Sequence, residues 1–145
     1  MAVVGGRVLM EHGDVRAVSY LASVRKSILA MLYGNYSGDT TRSVYRAYHM
    51  NLSTCDMARV GYLMLREGEW VGRQVIPRDW ARTISRAYTG LGAVGQHITV
   101  LPALDLVVAH KTRPGQGNRS VSHPEYLQVL DRIVKARCPD GACAR

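Results

Sequence analysis

A serine and a lysine three positions apart, Ser23 and Lys26, are the residues of this chain best suited to covalent chemistry. Residues at this spacing lie on the same side of a helix, so the lysine amine can reach the serine hydroxyl. A serine hydroxyl becomes a good nucleophile when a base removes its proton, and a lysine serves as that base when desolvation or nearby positive charge lowers its pKa. The pair therefore predicts a nucleophilic serine with a lysine as its base.

The segment around the pair predicts an amphipathic helix that begins at Ser23. Apolar residues recur at helical spacing from Leu21 to Leu32, and Gly34-Asn35 ends the pattern. A helix N-terminus has partial positive charge and free N–H groups, which favour an unprotonated amine and a developing oxyanion. The pattern S-x-x-K is weak by itself, because any exposed serine and lysine on a helix satisfies it.

Strand-like runs at both ends of the chain predict one antiparallel sheet. We expect one hairpin over residues 2–10 and a second formed by residues 96–101 and 104–110. Residues 34–51 show no clear periodicity, and residues 87–95 are rich in glycine, so we expect irregular connections in both places.

Helix signals elsewhere predict the elements that cover this sheet. Ser53 offers a hydroxyl cap with an acid three residues later, Pro77 suits the first turn of a helix, and residues 123–136 have an apolar stripe. Together with the strands, these helices predict an α+β fold. We expect residues 1–145 to form a single domain with a mobile tail at 138–145.

The composition is that of a globular protein with a basic surface. Of 145 residues, 47% are apolar, and the formal net charge is +8. The positive residues are spread from Arg7 to Arg145 without a dense run, so we expect no nucleic-acid partner. The sequence has no signal-peptide pattern and no apolar run of membrane-spanning length, so we expect no membrane partner either.

The cysteines do not predict a metal centre. Cys55 falls in an expected helix, whereas Cys138 and Cys143 lie in the polar C-terminal segment, where a bridge between them would close a small loop. No C-x-x-C pair or Cys/His cluster has the spacing of a zinc site. We therefore expect no metal and no cofactor.

The segment YLASVRKSILAMLYG, residues 20–34, resembles the nucleophile helix of the serine beta-lactamase and penicillin-binding-protein superfamily. It is most similar to the class C beta-lactamase-related hydrolases, a group that includes esterases, D-amino-acid peptidases and 6-aminohexanoate-dimer hydrolases. Residues 3–14 resemble the opening hairpin of that family, residues 52–80 its helical segment after the catalytic-site insert, and residues 92–112 its closing strand pair. These segments follow the family's order along the chain.

This resemblance implies roles for five residues. Ser23 would be the acylated nucleophile and Lys26 its base partner. In the family, a tyrosine from a Tyr-x-Asn element helps to move protons, and a Lys-Thr-Gly element or its substitute shapes the oxyanion and substrate side. The turn containing Gly92, Gly95 and Gln96 is our candidate for that last element and for substrate binding, although a tight turn leading into a strand explains the same letters equally well.

Two motif matches depart from the family's pattern. Tyr33-Gly34-Asn35 has the letters of Tyr-x-Asn, but ten helical positions place Tyr33 roughly 15 Å along the axis from Ser23. Lys111-Thr112 is followed by Arg113 instead of glycine and comes after the last expected strand. The resemblance therefore implies an internally truncated family member that lacks the helical insert and its tyrosine loop.

Deletion points near residues 35–40 and 89–92 would account for that departure, and they leave three functions open. The first is a serine hydrolase that acts through an acyl-Ser23 intermediate on a small-molecule amide or ester. The second is a remnant without turnover that binds ligands or another chain, with self-association through an uncovered apolar patch. The third is a basic module that binds nucleic acid or an anionic surface.

Overall fold

A computed structural model describes residues 1–21, 23–24, 51–84, 88–112 and 120–139. Across these ranges the chain forms a five-stranded antiparallel sheet with helices packed against it, so the predicted α+β class is confirmed. The helices are α1 (Thr54–Leu65), α2 (Arg78–Ile84) and α3 (His123–Arg137). The strands are β1 (Ala2–Val4), β2 (Arg7–Met10), β3 (Ser19–Tyr20), β4 (Asn51–Leu52), β5 (Glu69–Trp70), β6 (Arg73–Gln74), β7 (Tyr88–Gly92), β8 (Gln96–Leu101) and β9 (Leu106–His110).

The central strand of the sheet is β9, which lies between β1 from the start of the chain and β8 from its own hairpin. The order across the sheet is β2-β1-β9-β8-β7, and each neighbouring pair is antiparallel. Ala2 pairs with Val108, and His97 pairs with His110. The two predicted hairpins therefore join in one sheet, while β3–β4 and β5–β6 form two separate short pairs.

One face of the sheet packs against α1. The buried residues of the core between the sheet and α1 are Val3, Leu21, Val24, Met57, Ala58, Ile98, Val100, Val107 and Ala109. The helix comes close to the sheet at Gly61, where an added β-carbon would lie 2.5 Å from Val107 Cγ1. Because Leu21 and Val24 belong to this core, the chain on both sides of Ser23 is fixed by apolar burial.

The opposite face of the sheet packs against α3. The buried residues of the core between the sheet and α3 are Ala2, Leu106, Val108, Tyr126 and Ile133. The apolar stripe predicted for α3 consists of Tyr126, Val129, Leu130, Ile133 and Val134. Tyr126 and Ile133 are buried and Leu130 and Val134 pack against them, but Val129 is 45% exposed and does not belong to the covered face. The face of α3 that the sheet covers is therefore narrower than the distribution of apolar residues in α3 predicts.

Helix α1 begins after Ser53, as predicted, through a reciprocal capping box. Ser53 Oγ accepts a hydrogen bond from the Asp56 N–H at 3.0 Å, and Asp56 Oδ2 accepts one from the Ser53 N–H at 3.2 Å. Hydrogen bonds from Ser53 and then Arg59 lower the pKa of the Asp56 carboxyl. Ser122 and Glu125 form the same arrangement at the start of α3.

Sequence periodicity does not predict three of the strands. β3 and β4 are two residues long, too short for an alternating pattern to be visible. β7 contains Gly90 and Gly92, so it resembles a loop in sequence, yet it pairs with β8 along its whole length. Residues 102–104 form a 3-10 turn, so β9 begins at Leu106, later than predicted. Beyond Val24, the predicted helix lies outside the described residues.

Candidate active site

Ser23 lies in a turn shortly after β3, and its side chain is half-buried. Val24, the next residue, is fully buried in the core between the sheet and α1. A buried neighbour fixes the backbone of this turn, so the Ser23 hydroxyl stands at the edge of the core rather than on a free surface. Lys26 lies outside the described residues, so its approach to Ser23 stays a prediction.

The chain reaches Ser23 through the antiparallel pair β3–β4, in which Ser19 pairs with Leu52. Lys111, directly after β9, donates hydrogen bonds from Nζ to the Ser19 carbonyl oxygen at 3.1 Å and to the Leu52 carbonyl oxygen. The Lys111 amine thus joins both short strands to the end of the main sheet. Its place after the last strand gives no sign of this contact in the sequence.

Gly92, the last residue of β7, lies directly against the turn that contains Ser23. A β-carbon added at Gly92 would lie 3.0 Å from the Val24 backbone nitrogen and 3.0 Å from Val24 Cγ2. Contacts this short are tighter than most β-carbons make, so a side chain at residue 92 would require its neighbours to shift by a few tenths of an ångström. The structure therefore brings Ser23–Val24 and the predicted substrate-binding residue Gly92 together.

Gln96 and Gly95 complete the predicted substrate-binding turn in different ways. Gln96 pairs with Gly92 across β7 and β8 and is 1% exposed, so it lies beneath the same contact. Gly95 has φ +78°, and a β-carbon there would lie 2.7 Å from the Val121 carbonyl oxygen. Gln96 thus lies next to Gly92. Gly95 allows the left-handed backbone of the turn and packs against the segment before α3.

Two side chains that the sequence did not indicate as functional contact this turn from the end of β9. His110 Nδ1 lies 2.7 Å from the Gly95 carbonyl oxygen, and Thr112 Oγ1 donates to the Val94 carbonyl oxygen. The register of the β8–β9 hairpin would have predicted that these side chains lie near the turn. It pairs Leu101 with Leu106 and therefore places His110 opposite His97, beside the turn.

A cluster of aromatic and polar side chains lies beneath the turn on the α3 side of the sheet. The His97 ring stacks on the Tyr126 ring, with centroids 4.1 Å apart and planes 3° apart. Burial, together with the neighbouring His110 and His123 imidazoles, lowers the pKa of His97 to about 4. His97 is therefore neutral near pH 7 and adds no positive charge beneath the turn.

A cleft of about 320 Å³ adjoins this region of the molecule. Ser23, Gly92 and Gln96 are not among its described lining residues, so it lies beside the predicted site rather than within it. Charged and hydroxyl side chains form part of its wall, beside apolar surface. The described lining residues are His12, Gly13, Asp14, Ala17, Ser19, Thr54, Lys111 and Thr112.

The described residues offer no cluster of three or more His, Cys, Asp or Glu side chains arranged to hold a metal ion. Within the same ranges, no helix has the length and apolar character needed to cross a bilayer. Cys55 has a free thiol, while Cys138 is disulfide-bonded. Cys143, the partner considered for Cys138, lies outside the described residues.

Comparison with known proteins gives a structural similarity but none in sequence. No protein-family model matches the chain, and no curated protein is significantly similar to it. A protein from Bacillus anthracis assigned as a 6-aminohexanoate-dimer hydrolase matches 70% of this chain with a TM-score of 0.54 and 22% sequence identity. The matched part spans 33% of that protein. At this identity the similarity shows the fold, which is beta-lactamase-like.

Proposed function

We propose that this chain is a serine hydrolase of the beta-lactamase-related type, with Ser23 as the acylated nucleophile and an amide or ester as substrate. The observation that carries the proposal is the contact between the Ser23–Val24 turn and Gly92, with Gln96 buried beside it. The fold shared with a protein assigned as a 6-aminohexanoate-dimer hydrolase supports hydrolysis as the reaction class.

In the proposed reaction, Ser23 Oγ attacks the acyl carbon of the substrate while the Lys26 amine accepts the hydroxyl proton. That proton then passes to the leaving amine or alcohol, and water hydrolyses the acyl-Ser23 ester. The oxyanion would be stabilised by backbone N–H groups of the turn at Ser23 and of the Gly92–Gln96 turn. One such donor contributes about 10²–10³-fold to the rate of well-studied hydrolases, so the spacing of these two turns matters.

The proposal includes an internally truncated domain that lacks the helical insert of the family. The similarity to only 33% of the Bacillus anthracis protein is consistent with this view. A missing general acid or base lowers rates typically by about 10²–10⁴-fold. Acylation of Ser23 is therefore a more sensitive measure of the proposed function than substrate turnover.

The test is covalent labelling followed by intact-mass measurement. We would incubate the purified chain with a fluorophosphonate and, in parallel, with a beta-lactam, and map the modified residue by peptide mass. Ser23→Ala should abolish the adduct. Ser122→Ala is the matched control, because Ser122 is an exposed serine that caps α3, and its loss should leave the adduct unchanged.

The possible outcomes separate the three functions. An adduct on Ser23 that disappears over time, with release of the hydrolysed probe, supports the hydrolase. An adduct on Ser23 that persists supports a family remnant without turnover. No adduct in a sample with a cooperative thermal transition overturns the proposal, and salt-sensitive binding to heparin or DNA would then favour the basic binding module.

A further inference from the structure

The turn between β7 and β8, residues 93–95, has a backbone that its own sequence does not favour. Val94 has φ +58° and Gly95 has φ +78°. A β-branched residue such as Val94 rarely adopts the left-handed region, so its backbone is strained here. Contacts from elsewhere in the fold must therefore stabilise this conformation of the turn.

His110 supplies the contact closest to the predicted site residues. Its Nδ1 lies 2.7 Å from the carbonyl oxygen of Gly95, which is the residue directly before Gln96. A carbonyl oxygen only accepts hydrogen bonds, so His110 must bear its proton on Nδ1. The ring is further fixed by Tyr126, whose centroid lies 5.6 Å away.

The opposite side of the turn is closed by backbone. A β-carbon at Gly95 would lie 2.7 Å from the Val121 carbonyl oxygen and 2.9 Å from the Val121 nitrogen. Thr112 Oγ1 also donates to the Val94 carbonyl oxygen. With Val121 against one side of Gly95 and His110 bonded to its carbonyl, the turn has little freedom to shift.

We propose that His110 is a positioning residue for the reaction of Ser23: through its Nδ1–H bond to Gly95 it sets the Gly92–Gln96 turn against the backbone of Ser23 and Val24. This inference rests on the proposed function. His110 does not touch the substrate in this view. It acts through the turn, because a shift of Gly95 moves the N–H groups that would face the oxyanion.

The test compares three substitutions that treat the hydrogen bond differently. His110→Asn places an amide N–H near the position of Nδ1 and should keep the bond. His110→Gln moves the amide to the position of Nε2, and His110→Leu removes the donor. We would measure the rate of Ser23 labelling by the fluorophosphonate over a range of probe concentrations, which separates probe binding from the bond-forming step.

We expect His110→Leu and His110→Gln to slow the bond-forming step about ten- to a hundredfold, since small displacements of catalytic groups have effects of this size. His110→Asn should stay within about threefold of the unaltered chain. Gly72→Ala, in the distant β5–β6 turn, controls for general destabilisation. Equal rates for all three His110 variants and the unaltered chain would overturn the proposal, as would His110→Asn as slow as His110→Gln.

A second measurement separates failure of this inference from failure of the proposed function. If the unaltered chain forms no adduct, the hydrolase proposal fails, and amide hydrogen exchange of residues 93–97 then tests the positioning alone. We expect exchange about tenfold faster in His110→Gln than in His110→Asn. Equal exchange in the two variants would show that His110 does not position the turn. The Gln variant keeps the test valid if His110→Leu does not fold.

Discussion

The backbone nitrogen of Val24 lies against Gly92, at a spacing where a side chain on residue 92 would have to displace its neighbours. A β-carbon on Gly92 would meet this nitrogen, Val24 Cγ2 and Gln96 Cβ, each at 3.0 Å. The lack of a side chain at Gly92 therefore lets the turn that contains Ser23 pack directly on β7. This contact makes Gly92 the most direct point at which to disturb the predicted site.

Gly92→Ala should lower the rate of Ser23 labelling by about ten- to a hundredfold while the chain stays folded. The added methyl group pushes the Ser23–Val24 turn away from the substrate-binding turn. Labelling rates and thermal transitions of the variant and the unaltered chain are to be measured side by side.

Gly72→Ala is the control for that substitution. Gly72 has φ +74° with nothing within 4 Å of an added β-carbon, so the change strains the backbone of a distant turn by about 1–2 kcal/mol and leaves the site alone. We expect its labelling rate to be unchanged. If Gly92→Ala labels as fast as Gly72→Ala, the contact with Val24 has no part in the reactivity of Ser23.

Ser53→Ala should lower the free energy of unfolding by about 1–2 kcal/mol. The substitution removes the side-chain acceptor of the Asp56 N–H at a position that is only 5% exposed, so water cannot fully replace it. Urea titration followed by circular dichroism measures the change. Ser122→Ala removes the equivalent cap at exposed Ser122, where the bond to the Glu125 N–H is longer, at 3.4 Å, and should cost less. Equal losses would show that burial of the cap is irrelevant.

The stability of the chain should fall as the pH is lowered from about 7 to about 4. Burial lowers the pKa of His97 from 6.5 to about 4 in the folded state, so the unfolded chain binds a proton in this range that the folded chain does not. The effect from this residue between pH 7 and pH 4 is of the order of 2–3 kcal/mol. Urea midpoints at a series of pH values between these limits measure it.

His97→Gln should flatten part of that dependence, since an amide does not titrate in this range. A remainder is expected, because burial also lowers the pKa of His110 and acts in the same direction. A variant whose stability falls as steeply with acid as that of the unaltered chain would contradict the assignment to His97.

Thr99 and Tyr126 should show a clear coupling energy in a double-mutant cycle. The Thr99 Oγ1 to Tyr126 Oη distance is 2.5 Å, and both side chains are 1% exposed. Thr99→Val alone leaves a buried phenol without this partner and should cost about 1–3 kcal/mol, whereas Tyr126→Phe leaves Thr99 its second bond, to Thr89 at 2.9 Å. The double variant should lose about 1 kcal/mol less than the sum of the single losses. Additive losses, determined by urea unfolding, would exclude a direct bond.

Regular elements of the fold were predictable because their physical signals are local. The capping box at Ser53 and the helix over residues 123–137 have sequence signals that lie within a few residues of each other. The strand at 96–101 contains three successive β-branched residues, Ile98, Thr99 and Val100. β7 was missed because its two glycines resemble a loop in sequence. The contact of Gly92 with Val24 joins residues distant in sequence and leaves no local pattern.

The sequence suggested residues for the candidate site but not how they are arranged in space. Ser23, Gly92 and Gln96 were chosen from motif resemblance, and their proximity required the three-dimensional path of β3 and β7. His110 belongs to no motif, and the partial match at Lys111-Thr112 does not predict the contacts of Lys111, since both side chains bind backbone carbonyl oxygens that any residue could provide. Contacts of this kind depend on strand register, which short-range sequence patterns do not define.

The position of β9 between β1 and β8 has a consequence for how the protein is made. Ala2 in β1 pairs with Val108 in β9, so the β1–β2 hairpin cannot join the sheet until β9 has been synthesised. Contacts between such distant residues slow folding, and helix α1 has no complete sheet to pack on until β9 leaves the ribosome. During translation, Leu21 and Val24, which flank Ser23 and later enter the core, are exposed to water and to chaperones, so the Ser23 turn is assembled among the last features of the molecule.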